Sequence, residues 1–432
     1  MKILYILPGS GGGFYCENCI RDVALVKALR IKGHDVVMVP LYLPLFTDDP
    51  FITKGAPMFF GGINAYLQQT IPLFRRTPRW VDRLFDAPWL ISLAAKFAGT
   101  TRAKGLGNMT VSMLRGQEGH QYKEVDRLLS WLVHESAPDV IHVTNLLLLG
   151  LVRPLKQRLQ APVVCTTMDE DVWLDAMKHD HRETCWEILR EESRQVDAFV
   201  TVSRYYADLM QNRLALQNGA ISVIPIGIDA EGYTTTRTAT APTLGYLART
   251  CEGLGLGTLI DAFIELKRDE LLLRDLRLRV MGGYTGDDRK FIRQQKEKLS
   301  AQGMIGDVEF IAELDRESRM RFLESLSVLS VPIPEGEAFG TFIIESLAAG
   351  VPVVQPRVGG FTEVVEETGG GILYDPKDPS ALKSALFDLL TDEERAHALG
   401  SRGRGCVVRD FTITRMVDET ITLYKRVAGD AR

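Results

Sequence analysis

Glu337 and Glu345 stand eight positions apart in the run Ser330 to Val354, among residues that favour ligand binding. Val328 to Pro332 is a short apolar run, which predicts a strand buried on both faces. A polar loop with Pro334, Gly336 and Gly340 follows. A helix is expected from Thr341, with Gly350 at its left-handed end and Pro352 blocking continuation. The N-terminus of such a helix offers unpaired N–H groups and partial positive charge, a seat for phosphate. Carboxylates beside a phosphate repel it, so Glu337 and Glu345 suit neutral partners such as sugar hydroxyls. The plain alternative is a buried strand–helix unit with one glutamate capping the helix.

Other stretches carry weaker chemistry. Pro8 to Gly13 is a glycine-rich turn after the apolar run Ile3 to Leu7, and Gly11, Gly12 and Gly13 leave room for backbone N–H groups to approach a ligand. The spacing does not fit G-x-G-x-x-G, so a tight turn alone is the competing reading. Cys16-x-x-Cys19 lies at the expected start of a helix, where thiols become acidic. No second Cys or His pair is spaced to complete a zinc site, and the expectation is two small buried side chains. Met168 and Asp169 follow the apolar run Pro162 to Thr167, at the strand end where cleft residues belong. Asp169-x-Asp171 has the spacing of a metal-binding acid pair, but is read as cleft-lining or structural.

Two α/β rhythms must hold these residues. In the first half, strands are expected at Ile3 to Leu7, Val36 to Val39, Asp139 to Val143, Pro162 to Thr167 and Ala198 to Ser203, with Ser222 to Asp229 closing the domain. In the second, strands near 244–247, 276–281, 308–311, 328–332 and 353–355 alternate with helices, and a last helix covers about 414–427. Residues 74–97 mix arginines with aromatics and then an apolar helix. They read as a packed amphipathic insertion, with acceptor recognition and peripheral membrane contact as alternatives.

Bulk properties exclude several classes. A chain of 432 residues exceeds one core. A net charge of −5 gives no indication of a nucleic-acid partner. The first apolar run is five residues long, a strand rather than a secretory segment, and no run reaches a membrane span. Six scattered cysteines make no disulfide framework, so a cytoplasmic protein is expected, with the inner membrane face as an option through 74–97.

The whole string is similar to the Glu-x7-Glu signature of the family-four retaining glycosyltransferases: Glu337-Ala338-Phe339-Gly340 through Glu345, then Ala348-Ala349-Gly350-Val351-Pro352-Val353-Val354 and Gly359-Gly360-x-x-Glu363. The resemblance implies the GT-B architecture, two Rossmann-like doubly wound parallel-sheet domains facing a central cleft. Its boundaries are an acceptor-side domain at 1–228 with an insertion at about 43–120, a linker at 229–242, a nucleotide-sugar domain at 243–408, and a final helix at 409–432 that packs back on the first domain. By analogy, Glu337 holds the donor sugar and Glu345 the ribose, and Arg249 grips the diphosphate through its planar fork. Glu337 and Arg249 are the catalytic candidates; Phe339, Gly340, Thr341, Gly11, Gly12 and Gly13 complete the donor site.

Two departures touch the cleft. Leu254 stands where the family has a lysine, and Met168 where it has a histidine. The resemblance implies a retaining transfer of a hexose-type sugar from a nucleotide-diphosphate sugar to an unspecified glycan, lipid-linked or small-molecule acceptor, with no metal or other cofactor. A nucleotide-sugar-binding protein without turnover, and an epimerase of the same architecture, are its rivals.

Overall fold

The computed structural model describes residues 1–9, 14–42, 59–60, 67–75, 103–133, 137–235 and 241–430. Gly11, Gly12, Gly13 and most of 74–97 lie outside them.

The first sheet comprises β1 Lys2–Leu7, β2 Asp35–Pro40, β3 Val140–Val143, β4 Val163–Thr167, β5 Ala198–Thr201 and β6 Ile221–Val223, in the order β2-β1-β3-β4-β5-β6. Every pairing is parallel, with Ile3 opposite Val36 on one side and Val140 on the other. A parallel strand inside a sheet is covered on both faces, which explains the unbroken apolar runs. Leu4 and Ile6 enter the larger core, while Ile3, Tyr5 and Leu7 enter a second one beneath helix Glu17–Ile31.

The second sheet comprises β7 Thr243–Leu247, β8 Arg277–Met281, β9 Val308–Ile311, β10 Val328–Leu329, β11 Val353–Pro356 and β12 Gly371–Tyr374, in the order β12-β11-β10-β7-β8-β9, again all parallel. In each sheet the order reverses once, between β1 and β3 and between β7 and β10. Ligands of doubly wound sheets bind at the carboxyl ends of the strands beside such a reversal. The loops after β1, β3, β7 and β10 therefore form the ground for a site, with the loop after β4 next to them.

Several boundaries differ from the sequence expectation. β10 is two residues long; beyond it Ser330 N still donates to Gly245 O at 3.0 Å, and the Ser330 hydroxyl donates to Val354 O at 2.7 Å. Of the run Ser222 to Asp229 that closes the first domain, only Ser222 and Val223 belong to a strand, β6. Beyond it, Ile228 pairs instead with Phe411 to Ile413 through backbone bonds of 2.9 and 3.2 Å. β12 and helix Glu393–Asp410 carry no periodic signal that announced them. The last helix, Ile413–Asp430, lies against helix Glu17–Ile31, and its Met416, Val417, Ile421 and Tyr424 fill the second core. Tyr424 Oη meets His142 Nδ1 there, and burial lowers the His142 pKa to about 3, so the ring is neutral.

Candidate functional site

Helix Thr341–Ala348 is buried along its whole length. Gly340 precedes it at φ +87°, a conformation glycine adopts without cost, and no residue of its own loop caps it with a side chain. The cap comes from the other domain: Thr341 N donates to Glu17 Oε2 at 2.9 Å. The loop before the helix is pressed against Gly360, where an added Cβ would stand 2.1 Å from Ala338 O. Gly360 N donates to Glu337 O at 2.8 Å. The Gly359-Gly360 pair thus lets two backbone segments touch and fixes the direction of Glu337.

Glu337 Oε2 is buried without a hydrogen-bond partner among the described residues. Burial, reinforced by Glu17 and Asp169 nearby, pushes its pKa well above the usual carboxylate range. Asp169 sits at φ +64° and accepts from Ala338 N at 2.7 Å; burial raises it too. Glu17 is raised to about 7 by burial, partly offset by the Thr341 N–H. Three acids from three loops thus meet at one helix N-terminus, where the helix dipole favours negative charge.

Glu345 is 2% exposed and fully engaged. Tyr15 Oη donates to its Oε2 at 2.6 Å, and Tyr233 Oη and Arg319 Nε donate to its Oε1 at 3.1 Å each. Burial and then the Glu345 charge raise the pKa of both tyrosines, which stay protonated donors.

Further bonds join the domains around this cluster. Tyr15 N donates to Gly282 O at 2.7 Å, and Ser203 Oγ to Ala338 O at 2.6 Å. Glu363 accepts from Arg204 N and Tyr205 N at 3.2 and 3.1 Å, capping helix Arg204–Leu214 across the cleft. A cavity of about 900 Å³ opens beside Glu345 and is lined in part by Tyr15, Cys16, Cys19 and Arg319.

Two family models divide the chain between them: residues 23–227 match the glycosyl transferase 4-like domain, and residues 236–405 match glycosyl transferases group 1. The chain belongs to the family-four GT-B glycosyltransferases. Its fold is similar to that of sucrose-phosphate synthase from Thermosynechococcus elongatus, with a TM-score of 0.74, 19% identity and 100% of each chain covered. It is also similar to Anabaena Alr3699/HepE in complex with UDP, at a TM-score of 0.69 and 15% identity over 99% of this chain and 100% of that one. N-acetyl-alpha-D-glucosaminyl L-malate synthase from Bacillus anthracis is 32% identical over 117 residues, 27% of this chain and 31% of its own. D-inositol 3-phosphate glycosyltransferase from Geodermatophilus obscurus is 27% identical over 219 residues, 48% of each chain. The matched stretches span about a third to a half of those relatives' length.

In this GT-B glycosyltransferase, Arg249 lies at the end of β7 as its position implied, but already holds partners. Its Nε and Nη2 donate to Asp288 Oδ2 at 3.1 and 2.8 Å, Nη2 also reaches Thr285 Oγ1 at 2.8 Å, and the guanidinium lies 5.2 Å from the Phe14 ring centroid. Leu254 is half-buried, packs against the core, and its carbonyl accepts from Tyr246 Oη at 2.9 Å. Met168 is 3% exposed, with its sulfur 3.5 Å from Arg21 Nη1, so its side chain belongs to the first domain's interior. Phe339 is buried against Phe411. Asp171 accepts from Tyr206 Oη at 2.8 Å, and its neighbour Glu170 is raised to about 7 by burial, so the Asp169-x-Asp171 pair is committed to protein contacts.

One expectation is overturned. Cys16 and Cys19 are joined as a disulfide, half-buried rather than enclosed. The i,i+3 spacing on one helical turn brings their Cα atoms to 5.4 Å, within bonding reach. Sequence reasoning also passed over Tyr15, Glu17, Tyr233 and Arg319. Only Tyr15 and Glu17 carried a signal: both follow the glycine turn at the carboxyl end of β1.

Proposed function

We propose that the protein transfers a hexose-type sugar from a nucleoside-diphosphate sugar to an acceptor hydroxyl, with retention at the anomeric carbon. The observation that carries this is Glu337: a half-buried side chain whose Oε2 is enclosed and unpaired among the described residues, held at the N-terminus of a buried helix in the interdomain cleft. In this reading Glu337 takes the donor sugar's hydroxyls, and Glu345 the ribose. The Thr341 N–H and Arg249 take the diphosphate. The binding of UDP by the similar Anabaena protein supports that class of donor.

The acceptor oxygen attacks the anomeric carbon from the face on which the diphosphate leaves. The carbon–oxygen bond to phosphate breaks, and the acceptor proton passes to the departing phosphate oxygen. With Leu254 where an ammonium would stand, Arg249 and the helix N-terminus carry the leaving charge. The test is slow hydrolysis of UDP- and GDP-sugars by wild-type protein and by Glu337→Ala. Turnover that the variant loses supports transfer chemistry. Nucleotide-sugar binding without turnover, for every donor and acceptor tried, refutes it.

A further inference from the structure

Residues Phe14 to Glu17 come from the first domain, yet three of them occupy a group of the donor seat. The Phe14 ring lies over the Arg249 guanidinium, and Phe14 pairs with Gly283. Tyr15 Oη takes Glu345. Glu17 puts a carboxylate on Thr341 N, where an anion favoured by the helix N-terminus would sit. A nucleoside diphosphate that used Arg249, Glu345 and the Thr341 N–H would have to displace all three side chains.

This plug is stapled. The Cys16–Cys19 disulfide closes a small ring of chain around Glu17 at the first turn of helix Glu17–Ile31, directly after Tyr15. While the ring is closed, Tyr15 and Glu17 cannot swing away together without moving the helix start. Both sulfur-bearing residues line the 900 Å³ cavity, within reach of a small thiol. The other four cysteines are free and three are buried, so the pair is no part of a stabilising framework.

We propose that Cys16–Cys19 is a reversible thiol–disulfide exchange site that gates the donor seat, closed when oxidised and released when reduced. The reductant is a low-molecular-weight thiol. Its thiolate attacks one sulfur, the Cys16–Cys19 bond breaks, and a mixed disulfide forms while the departing cysteine leaves as thiolate and takes a proton. Cys16 is the better leaving group, because it is the N-cap residue and a helix N-terminus stabilises a thiolate. A second thiol resolves the mixed disulfide. In sum, two thiols become a disulfide, and the protein gains two electrons and two protons. The gating rests on the donor-seat reading above.

The test combines site-resolved alkylation with UDP and GDP calorimetry on wild-type protein equilibrated in oxidised or reduced dithiothreitol. Cys16 and Cys19 should be blocked to alkylation when oxidised and should each take one adduct when reduced. UDP or GDP should bind the reduced form about tenfold more tightly, a typical coupling between linked sites. The Cys16→Ser/Cys19→Ser double variant should bind like the reduced wild type in both buffers. Tyr15→Phe should strengthen binding to the oxidised form. Equal nucleotide affinity in the two redox states overturns the gate and leaves the donor reading standing. Nucleotide binding to neither state overturns both. Alkylation of both cysteines in oxidised dithiothreitol, or a redox response that survives in the double variant, also overturns the gate.

Discussion

The two sheets bring different kinds of loop to the same cleft. After β10, the loop is held by its own neighbourhood: Gly340 at the helix start, Gly360 against Ala338, and a helix buried on every side. After β1, the working residues are held by the opposite domain: Tyr15 by Glu345 and Gly282, Glu17 by Thr341. The first arrangement takes its shape from packing within one domain, and the other domain adds only bonds at Ala338, Thr341 and Glu345. The second exists only while the domains are closed. One face of the site is thus preorganised, and the other is exchangeable, which is what a substrate that must enter and leave requires.

The comparison can be broken at its rigid side first. Glu337→Gln should lower turnover on the order of 10²–10³, the usual effect of removing one contact made in the transition state, with nucleotide affinity little changed. A variant with wild-type turnover removes Glu337 from the chemistry. Next, Arg249→Ala should weaken UDP or GDP binding about tenfold to a hundredfold, the range for hydrogen bonds to charged groups, without altering sugar preference. Unchanged nucleotide affinity by calorimetry would exclude a diphosphate role.

The exchangeable side is tested through pH. The Glu17 carboxyl is raised from 4.5 to about 7. A carboxyl raised in the folded state stabilises the fold when protonated; that contribution is whole below about 4.5 and lost as pH rises through about 7. Urea unfolding should show stability falling across that window. Glu17→Gln should remove part of the fall, at most ~3 kcal/mol because the side chain is partly exposed, while its amide oxygen keeps the Thr341 bond. Glu170, raised to the same range, and Asp169 and Glu337, raised by burial as well, should preserve the remainder. An unchanged slope in the variant would mean that Glu17 does not titrate with folding. The smallest effect is expected for Tyr233→Phe. Glu345 keeps Tyr15 and Arg319, so thermal denaturation should report a loss of about 1 kcal/mol. A loss several times larger would make Tyr233 the principal holder of Glu345.

Much was legible because it is local. Continuous apolar runs such as Ile3 to Leu7 identify doubly covered parallel strands, and the loop–helix string from Glu337 to Pro352 carries its own turn and stop residues. β12 escaped notice because its short Gly371-Ile372-Leu373-Tyr374 run has no alternation and is only partly buried. Helix Glu393–Asp410 escaped because three glycines interrupt its pattern; Gly400 and Gly403 permit backbone contact at Gly350 and Gly370.

By itself, the sequence determined the two parallel α/β halves, the helix start at Thr341 and the presence of Glu337, Glu345 and Arg249, because strand periodicity, helix signals and motif spacing act over a few residues. Only the tertiary structure decided who meets them. Tyr15 lies 330 positions from Glu345, and Glu17 lies 324 from Thr341, separations over which no periodicity carries information. Burial at that meeting, rather than residue type, pushes Glu17, Asp169 and Glu337 away from ordinary carboxylates.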